Sequence, residues 1–268
     1  MMKRIAGLAT GALAAAIAIA VATQLPNEQE IRERVLAPSV QVAVFEGIGG
    51  ATSQWIVAGS GTVFKTSKGT FVLTAGHVVS RAIKYITRPP QPGEEQKDVK
   101  IAVFDDVTIV IERVKDGVVT GELRLRCKIL KYSPIEEEGG NDLAVLQPYE
   151  EDLLPFGARP LPKDKSIYAG QPVYHCGSML GELVNSVTFG VISATSRMLN
   201  NKPFIQLSST AQPGSSGGGI FVVDNERCYY AGMLTRGAGE TINLAVPLKR
   251  IRDTLAQWNL EFILDDAK

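Results

Sequence analysis

The sequence predicts an all-β protein: two successive six-stranded antiparallel barrels, closed by a C-terminal helix. Three observations carry this expectation. The chain has 26 Gly and 14 Pro in 268 residues, and beyond its N-terminal end it breaks into short β-rich runs instead of long helical patterns. The runs fall into two sets of about six, as small antiparallel barrels require, with a stretch holding Pro148, Pro155, Pro160 and Pro162 between them. Helical spacing returns only after Pro247, where Leu248, Ile251, Leu255 and Trp258 recur three or four apart.

Met1-Met2-Lys3-Arg4 is a short positive segment, followed from Ile5 to Ala22 by a run without charge. The pattern reads as export: either a signal peptide cleaved after Ala22, or an uncleaved anchor spanning a membrane through residues 5–22. Residues 1–26 are set apart on this basis, and the rest of the chain is expected in a secreted, periplasmic or membrane-anchored state outside the cytoplasm. Asn27 to Leu36 reads as a short helix with Asn27 as cap and Glu30 three residues on. Strands are then expected over Val40–Phe45, Trp55–Ala58, Gly61–Lys65 and Thr70–Ala75. Arg88 to Lys97, with three prolines, reads as a loop. Val99–Phe104, Val107–Arg113 and Val119–Ile129 follow, with a turn at Gly117, and then Leu143–Leu146.

Residues 27–150 thus form the N-terminal helix and first barrel, and residues 151–268 the connecting segment, second barrel and closing helix. Strands of the second set are Pro172–Cys176, Asn185–Ser196, Pro203–Leu207, Gly219–Val223, Arg227–Leu234 and Ile242–Val246. Asp224-Asn225 is the expected hairpin turn, and Pro247 suits the first turn of the closing helix.

Equal numbers of basic and acidic residues, 28 of each, argue against a nucleic-acid binder that works through bulk positive charge. Cys127, Cys176 and Cys228 are odd in number, so an exporting compartment leaves at least one thiol free or paired between chains. Spacing alone does not decide whether Cys176 and Cys228 pair. With two histidines and no C-x-x-C, the sequence is poorly supplied for zinc, and neither a metal nor a cofactor is expected.

Three strings carry the chemistry: Thr74-Ala75-Gly76-His77, Asn141-Asp142-Leu143-Ala144-Val145, and Gly214-Ser215-Ser216-Gly217-Gly218. A serine hydroxyl is a weak nucleophile at neutral pH and needs a base such as His77 to take its proton. A carboxylate such as Asp142 would hold the imidazole tautomer and favour the imidazolium that forms. Glycines around Ser216 let the chain turn sharply enough for the amides of Gly214 and Ser216 to face one oxygen. Each string alone is also an ordinary strand end or loop; together, in the order His, Asp, Ser, they point to acyl transfer.

These strings resemble the signatures of trypsin-like serine proteases of the chymotrypsin fold, and within them the HtrA/Deg group. The finer likeness lies in Val35-Leu36-Ala37-Pro38-Ser39-Val40, Gly190-Val191-Ile192-Ser193-Ala194, Ile205-Gln206 and Ile242-Asn243-Leu244-Ala245-Val246-Pro247. The resemblance implies a serine endopeptidase acting on polypeptides, with His77 as general base and acid, Asp142 as its orienter, Ser216 as nucleophile, and Gly214 with Ser216 as oxyanion donors. It places Thr210, Thr235, Arg236, Gly237, Asn243 and Ala245 along the substrate-binding pocket. With Thr210 where trypsin-like specificity uses a carboxylate, small or medium apolar side chains are expected there. It also implies a homo-oligomer built through N-terminal contacts, and a role in extracytoplasmic protein quality control.

The chain departs from the group in several places. Ser215 stands where the group usually has Asn and where digestive relatives have Asp, so activation by a freed N-terminus is not implied. Gly219 suggests a flexible exit from the serine loop. Gly177-Ser178-Met179-Leu180-Gly181 lacks the proline of the corresponding loop, and His175 just before it reads as structural or substrate-facing. The chain stops at Lys268, so regulation by a following PDZ domain is not expected. Two alternatives remain: a latent or inactive protease fold that serves as a binding or regulatory protein, and an acyl hydrolase acting on esters.

Overall fold

The computed structural model describes residues 25–48, 52–90, 92, 98–115, 118–135, 140–237 and 242–267. The expected signal or anchor at 5–22 and the turn at Gly117 lie outside these residues. Among the described residues, no helix is long and apolar enough to cross a membrane.

Asn27 caps the first helix as its residue type predicts: its side-chain oxygen accepts the Glu30 N–H at 2.8 Å. Helix α1 (Glu28–Ile31) runs on as a π turn over Arg32–Leu36. Glu30 receives Arg159 at 2.8 Å and the Cys228 N–H at 2.9 Å, tying this helix to the second half of the chain.

The first half then forms β1 (Ser39–Ile48), β2 (Thr52–Thr66), β3 (Gly69–Thr74), the short helix α2 (Gly76–Val79), β4 (Ile83–Arg88), β5 (Val99–Phe104), β6 (Val107–Lys115), β7 (Val118–Ser133) and β8 (Leu143–Pro148). Six of these strands close in the order β1-β2-β3-β8-β7-β6, each pair antiparallel, with β6 returning to β1. The pair β4–β5 stands outside the barrel as a two-stranded ribbon. The second half forms β9 (Pro172–Met179), β10 (Leu183–Leu199), β11 (Lys202–Leu207), β12 (Gly219–Asp224), β13 (Arg227–Gly237) and β14 (Asn243–Pro247), closing in the order β10-β11-β14-β13-β12-β9. Helices α3 (Leu248–Gln257) and α4 (Phe262–Asp265) end the chain. The expected all-β, double-barrel fold with a closing helix is therefore the observed one.

Several boundaries differ for physical reasons. The two runs expected at 55–58 and 61–65 are one strand, because Gly59 and Gly61 keep extended backbone and pair with Val42 and Val40. The hairpin turn is Asn225-Glu226, both with positive φ (48° and 63°), so it is one residue later than expected. Pro247 is the N-cap of α3, one position before the expected first turn. Gly219 does not loosen the serine loop: it opens β12, paired with both Met233 and Cys176, and is buried.

One apolar core runs through both barrels. Phe64 of β2 meets Tyr230 of β13 edge to face at 5.0 Å between centroids, and Phe221 packs on the same tyrosine at 5.9 Å. The connecting segment repeats this bridging through its backbone, since Ala158 donates to Val63 and Leu161 to Tyr230, at 2.8 and 2.9 Å. Helix α3 buries Leu248, Ile251 and Leu255, and α4 carries Phe262 across to Phe71 of the first barrel.

Cys127, Cys176 and Cys228 are free and fully buried, and Cys176 and Cys228 do not pair. Burial pushes all three thiols up to about 12, and the thiolate is the reactive form. The folded protein is expected to resist iodoacetamide at pH 8 and to take three adducts once unfolded in guanidinium, read by intact mass; rapid labelling of the folded protein would contradict this packing.

Candidate active site

His77, Asp142 and Ser216 come from different parts of the chain; His77 and Asp142 are in direct contact, and Thr235 links them to Ser216, with its hydroxyl on Asp142 and its carbonyl beside the Ser216 hydroxyl. His77 lies in α2, just past β3. Its Nδ1 stands 3.0 and 3.1 Å from the two oxygens of Asp142, and its backbone N–H donates to the same carboxylate at 3.0 Å. An ionised carboxylate only accepts, so the proton sits on Nδ1 and the neutral ring keeps Nε2 as an acceptor. The His77 side chain is 33% exposed while that of Asp142 is 3% exposed.

Asp142 precedes β8 in left-handed backbone, φ 51°. The second barrel completes its shell: the Thr235 hydroxyl of β13 donates to Oδ2. Burial by itself raises a carboxyl, but the hydrogen bonds from His77 and Thr235, together with the imidazolium charge whenever the ring is protonated, outweigh it and hold Asp142 below the ordinary carboxylate range. The loop before Asp142 is held as well, with the Gly140 carbonyl accepting from Lys202 and the Asn141 carbonyl from Arg250 at 3.3 Å.

Ser216 sits in the turn between β11 and β12. Its hydroxyl touches the Thr235 carbonyl at 3.5 Å and makes no hydrogen bond to His77. In enzymes without substrate, hydrogen bonds between a serine and a histidine of this kind are often long or unmade. Gly214 adopts φ 94°, and a Cβ there would lie 2.3 Å from the Ser178 carbonyl; Gly217 adopts φ 87°, with a Cβ 2.1 Å from the Ser60 carbonyl. Only glycine fits either place, so the turn is wedged between β9 on one side and β2 on the other. The Pro213 carbonyl accepts the Leu180 N–H at 2.6 Å, and across a trans peptide this turns the Gly214 N–H the opposite way. Among the described residues, neither the Gly214 nor the Ser216 N–H has a hydrogen-bond partner.

A cavity of about 440 Å³ opens beside Ser216, lined by Ala211, Gln212, Pro213, Leu234, Thr235, Arg236, Gly237 and Asn243. Four of the six residues expected to line a pocket are therefore present. Thr210 and Ala245 are not: Thr210 is exposed with its carbonyl accepting from Thr188 at 2.8 Å, and Ala245 is fully buried in β14 between Ile205 and Leu234. The lining carries one charge, Arg236, and no carboxylate. Among the described residues, no three His, Cys, Asp or Glu side chains gather as a metal site.

Sequence reasoning missed three features. Ser60, whose hydroxyl donates to the Gly214 carbonyl at 2.7 Å, and the Pro213–Leu180 contact escaped because their partners are backbone groups distant in sequence. Thr235 was expected along the pocket, and its hold on Asp142 was not foreseen. The available hint was Gly59-Ser60-Gly61, a hydroxyl between two glycines within a strand.

The profile of the trypsin-like peptidase domain matches residues 59–228. The chain is similar to curated periplasmic serine endoproteases described as probable and DegP-like: 33% identity over 122 residues with one from Hahella chejuensis, covering 44% of this chain and 25% of that protein. With one from Pseudomonas fulva the identity is 27% over 214 residues, covering 78% and 36%. The chain thus spans only about a quarter to a third of these relatives. Among solved structures it is similar to the HtrA-type protease AlgW with a decapeptide, at TM-score 0.60 and 19% identity, covering 88% of this chain and 68% of that one. The serine endoprotease from Yersinia pestis follows at TM-score 0.55 and 21% identity, covering 90% and 68%. At these identities the likeness is one of fold.

His175 is wholly buried beneath the serine turn, and burial pushes its imidazole down to about 4. The unfolded chain takes up that proton near pH 6.5, so the folded state loses stability as pH falls from there toward 4, by roughly 2 kcal/mol between pH 7 and 4.5. Urea melts of the wild type and His175→Gln at both pH values check this; an equal acid loss in the two proteins would refute it. Thr235→Val, which leaves a buried carboxylate one donor short, is expected to cost about 1–3 kcal/mol in the same melts at pH 7.

Proposed function

Because the chain belongs to the trypsin-like peptidase family, we propose that it is a serine endopeptidase using His77, Asp142 and Ser216. The observation that carries this reading is the contact between His77 Nδ1 and the buried Asp142, which leaves Nε2 as a base on the side of the ring that faces away from the carboxylate. In the proposed reaction His77 takes the Ser216 proton as Oγ bonds to the substrate carbonyl carbon. The Gly214 and Ser216 amides receive the oxygen's developing charge, and Asp142 steadies the imidazolium. His77 then returns the proton to the leaving amine as the C–N bond breaks. Water, deprotonated by His77, then bonds to the acyl carbon, and His77 returns that proton to Ser216 Oγ as the acyl C–O bond breaks and the carboxylic acid leaves.

The cavity beside Ser216 would take the side chain that precedes the cut bond. Its lining has no carboxylate to pair with Lys or Arg, and Arg236 repels them, so small or medium apolar residues are the proposed preference. Polypeptide substrates, an extracytoplasmic location and a part in protein quality control are proposed alongside, supported by relatives named periplasmic serine endoproteases and by a fold neighbour solved with a peptide.

One observation favours a second reading, a latent site: Ser216 does not hydrogen-bond His77. Labelling with a fluorophosphonate probe decides between them. A single adduct on the wild type, absent from Ser216→Ala, is the expected result. A folded wild type that takes no adduct would establish the latent reading.

A further inference from the structure

We propose that Ser60 is a positioning residue for the oxyanion site, because it grips the backbone carbonyls of both Gly214 and Ser216. The proposal rests on the peptidase reading above, in which the amides of those two residues receive the developing charge.

Ser60 lies in β2, in the first barrel, and is 1% exposed. Its backbone N–H donates to the Ser216 carbonyl at 2.7 Å. Its hydroxyl donates to the Gly214 carbonyl at 2.7 Å and accepts the Ser178 N–H from β9 at 2.7 Å. The Ser60 carbonyl accepts from the Thr74 hydroxyl at 2.6 Å, which anchors the strand beneath. The hydroxyl has one hydrogen, so with that hydrogen on the Gly214 carbonyl and a lone pair on the Ser178 amide its orientation is settled.

The geometry gives each bond a separate task. Gly214 has no Cβ, so both peptide planes around its Cα turn easily unless pinned. Leu180 pins the plane before it by holding the Pro213 carbonyl, and the plane after it is held at both ends, its carbonyl by the Ser60 hydroxyl and its Ser215 N–H by the Gln212 carbonyl at 2.9 Å, with Ser60 the one contact reaching in from the first barrel. With both planes held, the direction of the Gly214 N–H is set before substrate arrives. Ser216 is pinned by the Ser60 backbone, which a side-chain substitution leaves in place. Removing the hydroxyl alone frees the far side of the Gly214 hinge, so the plane that carries the Gly214 N–H is steadied from one side only by Leu180, while the nucleophile's own backbone contact stays intact.

The test uses the full chain as wild type, Ser60→Ala and Ser60→Cys, the last keeping the size and a weak donor. Read out are kcat and KM on an apolar peptide p-nitroanilide, the second-order rate of fluorophosphonate labelling, and the melting temperature. Ser60→Ala is expected to lower kcat by about tenfold to a hundredfold, less than the roughly hundredfold to thousandfold that outright loss of an oxyanion donor costs because the donor is loosened and not removed, with KM nearly unchanged and the labelling rate falling in parallel. Ser60→Cys should fall between. If Ser60 only joins the two barrels, the melting temperature drops while kcat per labelled site stays at the wild-type value, which overturns the proposal. Should Ser60→Ala not fold, Ser60→Cys decides: reduced kcat supports the proposal and wild-type kcat overturns it. A wild type that neither labels nor hydrolyses refutes the peptidase reading and this role with it, whereas an active wild type matched by Ser60→Ala refutes this role alone.

Discussion

The burial of the Asp142 carboxylate is the constraint on which the rest of the site depends. An ionised carboxylate taken out of water is strongly destabilising unless donors surround it. Here the donors are the His77 amide, the His77 ring and the Thr235 hydroxyl, the last reaching across from the other barrel. Satisfying the charge therefore requires both barrels to be closed and docked. The same bonds that make the buried charge tolerable also fix the imidazole's tautomer and direction, so stability and chemistry share one set of contacts.

The serine turn follows a similar logic with neutral groups. Its carbonyls are held from β2 and from the Leu180 turn, and its glycines let those partners approach within distances no side chain allows. The apolar contact of Phe64 with Tyr230 keeps the two walls together, and the C-terminal helices reinforce them: Arg250 of α3 reaches the Asn141 carbonyl, and Phe262 of α4 packs on Phe71. Asp142, His77 and the serine turn are thus supported by elements from opposite halves of the chain.

Much of this was legible in the residues. The strand sets, the capped N-terminal helix, the closing helix and the three chemical strings are all local patterns, and local patterns survive in sequence. What escaped was set by other terms. β4 was missed because Tyr85 and Ile86 stay half exposed, so no alternation of buried and exposed residues marks it. Thr210 and Ala245 were placed along the pocket by resemblance, whereas Ala245 pairs with Ile205 and Leu234 inside the barrel and Thr210 is exposed with its carbonyl on Thr188. Ser60 acts through partners more than a hundred residues away, which no spacing rule could reveal.

The long loops that close this site also order events in time. Ser60 meets Gly214 across 154 positions, and Asp142 meets Thr235 across 93. Contacts of such separation form late, since the loop between them must be closed before they stabilise anything. During synthesis, Ser216 leaves the ribosome before Thr235 and well before the helix that carries Arg250. A growing chain therefore holds its serine while the buried carboxylate still lacks its partner from the second barrel, and the site can assemble only once both barrels and the helix carrying Arg250 are free to fold.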